Sequence, residues 1–249
     1  MTDIAWGIDT DLSAYERDGF LILRNVLPRD LVSRVVGELT ALCALTGVDE
    51  GDLGLSCSRL DRENQEALYR LYLAAPRLPA FAALSAHLAG VAARISGADL
   101  PVLSIDTIAL FSPPRDSRLA YNWHQENSYM PGLPGDVMTF WCPLLDPATV
   151  DNGAMSVLAA SHRLGRLPYR KISRPRGYTD LLPHDAEAIA ASHREHVCIA
   201  DPGDAVVFQG NMLHRSNHNA TNRTRVTGIF RYIAACDLPA NLKFSADMY

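Results

Sequence analysis

The hydrophobic period of this chain changes near residue 100, and that change confines it to few architectures. Before it, apolar residues recur at helical spacing. Pro28 and Asp30 open a segment in which Leu31, Val32, Val35, Val36, Leu39, Leu42 and Cys43 give one apolar face, and Gly47 stops it. Helices are also expected over 62–75 and 78–95, and a helical turn over 12–18 leads into a short apolar strand at 19–23. Beyond residue 100 the chain reads as short strands between turns. Strand 103–111 ends at Pro113-Pro114, and strand 137–144 ends at Asp146-Pro147. Asn152-Gly153 signals a hairpin before 154–158. A turn at Asp201-Pro202-Gly203-Asp204 precedes 205–208, and 225–234 closes the series. Helices followed by many short strands predict a mainly β protein with flanking α. The expected form is a double-stranded β-helix, the cupin-like jelly roll, with its core over 101–236 and a helical buttress over 1–100. Neither a repeat nor a linker divides the sequence, so 1–249 is read as a single domain. The stretch 166–185 is rich in Arg, Pro, Gly and Tyr without a clean period; it is expected to be a long loop serving as a lid.

A hydrophobic content of 48% over 249 residues is enough for one buried core. The net charge of −5 gives no electrostatic reason to expect nucleic acid or an anionic membrane as partner. No apolar run reaches the length of a spanning helix, and Met1 to Gly7 shows no leader pattern. The five cysteines at 43, 57, 142, 198 and 236 form no C-x-x-C pair. That usage fits a reducing compartment, so a cytoplasmic protein is expected. The basic residues are nearly all Arg, with Lys only at 171 and 243. Arginine suits planar recognition of carboxylates, although a GC-rich coding bias produces the same composition. Oligomeric state is not legible, because core-facing and partner-facing apolar stripes share one pattern.

The chemistry concentrates at His124-Gln125-Glu126. In an extended segment, residues 124 and 126 point to the same side, so an imidazole and a carboxylate converge. A second His far along the chain would complete two His and one carboxylate. That set leaves three metal positions open, two for a bidentate 2-oxo acid and one for dioxygen. His87 lies in a helix, His162 in a turn, His184 in the long loop, and His193 and His196 near a helix end. His214 and His218 remain. His214 follows the strand 205–208 and stands eleven residues before Arg225. A single His-x-Glu is most often a surface turn, and a lone His is most often a satisfied polar residue. The joint pattern with Arg225 is what favours a metal site.

At these residues the chain resembles the phytanoyl-CoA hydroxylase family of Fe(II)/2-oxoglutarate dioxygenases, over nearly its whole length. The matching pieces are Tyr15-Glu16-Arg17-Asp18-Gly19-Phe20, Trp123-His124-Gln125-Glu126, Asp151-Asn152-Gly153 with Ser161-His162, and Gly203-Asp204 leading through His214-Arg215-Ser216 to Asn219 and Arg225. The resemblance implies iron held by His124, Glu126 and His214. It implies Arg225 clamping the distal carboxylate of 2-oxoglutarate, with Ser216 adding a hydroxyl. Trp141 and Ile108 match positions lining that pocket, with ordinary core packing as the equal alternative. Arg223 is the rival to Arg225, with matching parity but the wrong offset. Ser161-His162 is read as structural, capping a turn. Two departures stand out. The family usually has Asp where this chain has Glu126, and many relatives have Lys at the position of Ser112.

The implied reaction couples decarboxylation of 2-oxoglutarate to oxidation of an unactivated C–H bond, with dioxygen as oxidant and ascorbate as the reductant in vitro. Hydroxylation of a small molecule of secondary metabolism is the preferred outcome, with desaturation or cyclisation as alternatives. Glu126 fills the position that halogenases leave open for chloride. Tyr121, Asn127 and Tyr129 flank the metal motif and Asp106 lies on the strand leading to it; all four are expected to face substrate. The Arg and Lys residues of 166–176 suit an anionic or carrier-linked substrate, or form a solvated basic loop. A cupin-type metalloenzyme without a 2-oxo acid, or a ligand-binding jelly roll, would leave Arg225 without its anion.

Overall fold

The computed structural model describes residues 3–5, 11–97, 102–114, 122–130, 137–173 and 179–235. The chain enters through β1 (Asp3–Ala5), α1 (Ser13–Asp18) and β2 (Phe20–Arg24). Four helices follow: α2 (Arg29–Ala44), α3 (Leu53–Glu63), α4 (Gln65–Ala74) and α5 (Pro79–Ser96). The rest is largely strand: β3 (Val102–Ser112), β4 (Met138–Pro143), β5 (Met155–Leu158), β6 (Tyr169–Ser173) and β7 (Thr179–Pro183). After α6 (Ala186–Ser192) come β8 (Glu195–Val197), β9 (Ala205–Gln209), β10 (His214–Ser216) and β11 (Arg225–Ala234).

A six-stranded sheet has the order β1-β2-β9-β4-β11-β3, and a three-stranded sheet has the order β10-β5-β8. All pairings are antiparallel except β1 with β2. The strands β2, β4 and β9 of the large sheet are buried on both faces, which is why they read as unbroken apolar runs rather than alternation. Leu21, Leu23, Phe140, Cys142, Ala205 and Val207 point to the helical layer. Phe20, Ile22, Trp141, Val206 and Phe208 point the other way, onto Met155 and Val157 of the small sheet. This is the expected jelly roll buttressed by N-terminal helices. The buttress is seated by α5, whose Phe81 stacks on Phe230 of β11 at 5.1 Å between ring centroids, and Tyr232 donates to the Ser85 carbonyl at 2.7 Å.

Three expectations need correction. The helix expected over 62–75 is two helices broken at Asn64, and the first of them, α3, was not anticipated. Their starts are set by side-chain caps: Asp52 accepts from the Leu55 amide at 2.9 Å and Asn64 from the Ala67 amide at 3.1 Å. Asn152-Gly153 does turn the chain, but the strands flanking it, β4 and β5, lie in different sheets. Asn152 closes that turn by accepting from the Thr149 amide and donating to the Pro147 carbonyl. Gly153, at φ +77°, is required there, since a Cβ would sit 2.3 Å from the Asn217 carbonyl oxygen. Finally, the stretch 166–185 is not irregular. It carries the antiparallel pair β6 and β7, in register from Tyr169↔Pro183 to Ser173↔Thr179; residues 174–178 lie outside the described residues. Tyr121 and Cys236 also lie outside them. Among the described residues, no single helix is long and apolar enough to cross a membrane.

Candidate active site

The segment carrying the His-x-Glu pair is stitched to β10. His124 and His214 pair as an antiparallel bridge, with N–H to carbonyl distances of 3.0 and 3.1 Å in the two directions. Gln125 is extended (φ −117°, ψ 137°) and fully buried. Its Nε2 donates to the Gly165 and Asn211 carbonyls at 2.8 and 2.6 Å, and its Oε1 accepts from the Leu167 amide at 2.8 Å. Anchoring this middle residue turns its two neighbours to the opposite side. His214 is held from behind: the buried Ser161 hydroxyl accepts from the Leu213 amide at 2.9 Å. Ser161 does not cap its own turn, contrary to expectation, but steadies the strand that carries a metal-ligand candidate.

His124, Glu126 and His214 converge, with one ligand atom from each lying within 4.8 Å of the others. The imidazole centroids are 4.1 Å apart, and His214 Nε2 lies 3.3 Å from Glu126 Oε1. Each ring has its Nδ1 against a carbonyl oxygen, Asn122 at 2.8 Å for His124 and Met212 at 3.1 Å for His214. A carbonyl only accepts, so Nδ1 carries the proton and Nε2 keeps its lone pair for a metal. Burial pushes the His124 imidazole down to about 3, and the neighbouring His214 acts the same way; a neutral ring is the ligating form. Burial alone would raise the Glu126 carboxyl, but Arg231 and the two imidazoles hold it well below the carboxylate range. Two imidazoles and one carboxylate that converge in this way form the donor set suited to Fe(II).

Arg231 was not singled out from the sequence. Its Nε donates to Glu126 Oε2 at 2.9 Å, its Nη2 to Glu126 Oε1 at 3.2 Å, and its Nη1 to Asp106 Oδ2. Asp106 stands opposite it in the β3–β11 register. Asp106, expected to face substrate, is here an ion-pair partner of a buried arginine. Burial would lower the Arg231 guanidinium, but Glu126 and Asp106 together raise it above its ordinary value. Parity could have found it: Arg225, Thr227, Ile229 and Arg231 alternate along one strand.

Arg225 is 1% exposed. Its Nε donates to the Asn152 carbonyl at 3.0 Å, Nη1 to Thr227 Oγ1 at 3.0 Å and Nη2 to Ser112 Oγ at 3.2 Å. All three are neutral acceptors, so among the described residues it has no acidic partner. Burial lowers its guanidinium to about 10, leaving it charged near neutral pH. Its charge lies 5.2 Å from the Trp141 ring centroid. Trp141 and Ile108 both face Ile229 of β11, four residues along, and among the described residues the buried Trp141 Nε1 has no hydrogen-bond partner. Ser216 is buried at the end of β10. The rival Arg223 pairs with Asp52 at 3.0 Å and Asp146 at 3.2 Å, a structural role. A buried cation with only neutral acceptors, beside the unpartnered Trp141 Nε1, is the arrangement an anionic co-substrate would complete.

The remaining substrate expectations divide. Asn127 is buried rather than facing an opening; its amide donates to the Gly210 carbonyl at 3.0 Å and its Nδ2 to Asn211 Oδ1 at 2.9 Å. It pins the metal segment to the β9–β10 turn. Tyr129 is 40% exposed, meets the His124 ring edge-on at 5.9 Å, and accepts from the Leu181 amide of β7 at 3.1 Å.

The family model described as phytanoyl-CoA dioxygenase matches residues 15–227. The ectoine dioxygenase of Sphingopyxis alaskensis is 25% identical over 256 residues, covering 92% of this chain and 78% of that protein. The crystal structure of EvdO2 from Micromonospora carbonacea var. aurantiaca, complexed with 2-oxoglutarate, superimposes with a TM-score of 0.63 at 20% identity, covering 100% of this chain and 98% of that one. The alpha-ketoglutarate-dependent carbocyclase SnoK of nogalamycin biosynthesis gives 0.63 at 18% identity, covering 90% of this chain and 83% of that one.

Proposed function

Given that the chain belongs to the phytanoyl-CoA dioxygenase family of Fe(II)- and 2-oxoglutarate-dependent enzymes, we propose that His124, Glu126 and His214 hold its iron and that Arg225 receives the distal carboxylate of 2-oxoglutarate. The reaction proposed is hydroxylation of an unactivated C–H bond in a small molecule of secondary metabolism. The observation that carries this reading is Arg225, buried in the same barrel as the triad with only neutral partners. A cupin-type enzyme or a binding module would bear the cost of that isolated charge for no return.

When bound, iron with 2-oxoglutarate and dioxygen supplies the oxidising power that breaks the C–H bond, releasing succinate and carbon dioxide. The protein's own part is placement. Arg225 would orient the co-substrate by charge-assisted hydrogen bonds to its carboxylate, with Thr227, Ser112 and Ser216 as the nearby hydroxyls. Trp141 and Ile108 cover its chain and exclude water. The hairpin β6–β7 acts as the lid over the substrate, tied to the metal segment through Tyr129. Arg170 and Lys171 are exposed on β6, which suits an anionic or carrier-linked substrate. Cys43, Cys57, Cys142 and Cys198 are buried free thiols, consistent with a cytoplasmic enzyme.

Succinate formation from 2-oxoglutarate, with Fe(II) and ascorbate, in air and under argon, tests the reading. Wild-type protein should form succinate only in air, and His214→Ala should form none. Binding of 2-oxoglutarate to the Fe(II) protein under argon, read from the metal-to-ligand absorption band, covers slow turnover without the prime substrate. A folded, iron-loaded protein that shows no such band would sink the proposal.

A further inference from the structure

We infer that Arg231, braced by Asp106, is a positioning residue that restricts Glu126 to ligation through one oxygen and so preserves the third open metal position. The inference rests on the metal site proposed above. Glutamate is one methylene longer than aspartate, and that extra torsion lets both carboxylate oxygens turn towards one ion. Two-oxygen ligation would take one of the three positions needed by a bidentate 2-oxo acid and dioxygen. Arg231 meets both oxygens, Nε on Oε2 at 2.9 Å and Nη2 on Oε1 at 3.2 Å, but only Oε1 also faces an imidazole, 3.3 Å from His214 Nε2. The guanidinium plane grips the carboxylate through Nε and Nη2 together, a fork that fixes rotation as well as distance.

Asp106 has two effects on this grip. It occupies Nη1, so all three guanidinium nitrogens are engaged and the side chain has no slack. Asp106 is itself fixed, its Oδ1 accepting from the Thr107 amide at 2.9 Å. Its second effect is on charge. Arg231 alone would cancel the charge of Glu126 and leave a neutral site for a divalent cation. With Asp106 the cluster of Asp106, Arg231 and Glu126 carries a net charge of −1, that of the carboxylate ligand alone. Two variants should therefore differ in metal affinity, one keeping or tightening it and the other weakening it, which loss of packing would not do. Arg231→Gln leaves two acids and retains or tightens Fe(II) binding, while freeing the second Glu126 oxygen to compete with 2-oxoglutarate. Asp106→Asn leaves a neutral cluster and weakens Fe(II) binding.

The experiment is an anaerobic Fe(II) titration against a colorimetric chelator, followed by 2-oxoglutarate titration of the Fe(II) protein through its absorption band, on wild type and both variants. Expected for Arg231→Gln is Fe(II) affinity equal to or above wild type with 2-oxoglutarate affinity at least tenfold weaker. Expected for Asp106→Asn is Fe(II) affinity several-fold weaker. Folded Arg231→Gln that keeps wild-type 2-oxoglutarate affinity, or loses Fe(II) affinity, overturns the inference. An anaerobic crystal structure of Fe(II)-loaded wild type needs no variant to fold: one Glu126 oxygen on the metal supports the inference and two overturn it. Wild-type protein that binds neither Fe(II) nor 2-oxoglutarate would instead sink the metal-site reading itself.

Discussion

Two arginines on the same strand do opposite work because of what their neighbours carry. Arg231 is neutralised by carboxylates at Glu126 and Asp106, whereas Arg225 meets only neutral oxygen acceptors. An unpaired buried cation is costly to the folded chain and useful only when an anion arrives. Arg225→Met should therefore separate stability from binding. It removes the buried charge but strands three acceptors, at about 1 kcal/mol each, so the two effects offset and the apo melting temperature should move by only a few degrees. The 2-oxoglutarate affinity should fall on the order of a hundredfold, from loss of a buried charge pair worth about 2–5 kcal/mol. Calorimetric titration with 2-oxoglutarate beside a thermal melt checks both halves; an equal loss in each would assign Arg225 to structure. Its offset from His214 made Arg225 legible in the sequence and separated it from Arg223. Arg231 and Asp106 were less so, because their meeting depends on the register of β3 against β11, and no local spacing encodes register.

At the level of elements, the jelly-roll strands were legible because apolar runs bounded by Pro, Gly and Asn turns carry their own ends. Where two helices abut, the end is a single side chain. Asn64 closes α3 and caps α4, and apolar periodicity continues across it. Asn64→Ala removes the cap and should cost about 1 kcal/mol, measured by urea denaturation with an unchanged m-value; no loss of stability would mean that packing alone sets the break. The hairpin β6–β7 was obscured for another reason. Its turn-forming composition resembles a loop, and its pairing partners are each other rather than the core sheets. Tyr129 links it to the metal segment through the Leu181 amide. Tyr129→Phe should remove that bond, worth about 1 kcal/mol, and speed hydrogen exchange at the Leu181 amide about fivefold, since 1.4 kcal/mol is a factor of ten. Unchanged exchange there would place the anchorage of the hairpin elsewhere, in the packing of Leu182 and Ile189 around Trp123.

Across the whole molecule, the site is a junction. His214 belongs to the small sheet, Arg225 and Arg231 to the large one, and the segment bearing His124 and Glu126 lies between them. A ligand held by all of these stabilises the folded chain by mass action, because the unfolded chain has no such site. At a hundredfold excess over its dissociation constant, 2-oxoglutarate should add about 2.7 kcal/mol to the Fe(II)-loaded protein. At roughly 2–4 °C per kcal/mol for a domain of this size, that is a rise in melting temperature of about 5–11 °C, measured under argon by differential scanning fluorimetry. The increments should be ordered. Fe(II) alone should raise the melting temperature and a chelator should reverse it. Addition of 2-oxoglutarate without metal should do little, since Arg225 would hold only one end of it. In Arg225→Met the metal increment should persist while the 2-oxoglutarate increment disappears. Because the helices and the large sheet share one apolar core, every melt should be a single transition. If Fe(II) sharpened or shifted only part of a split transition, the small sheet would be folding independently of the large one, and the site would join two units rather than brace one.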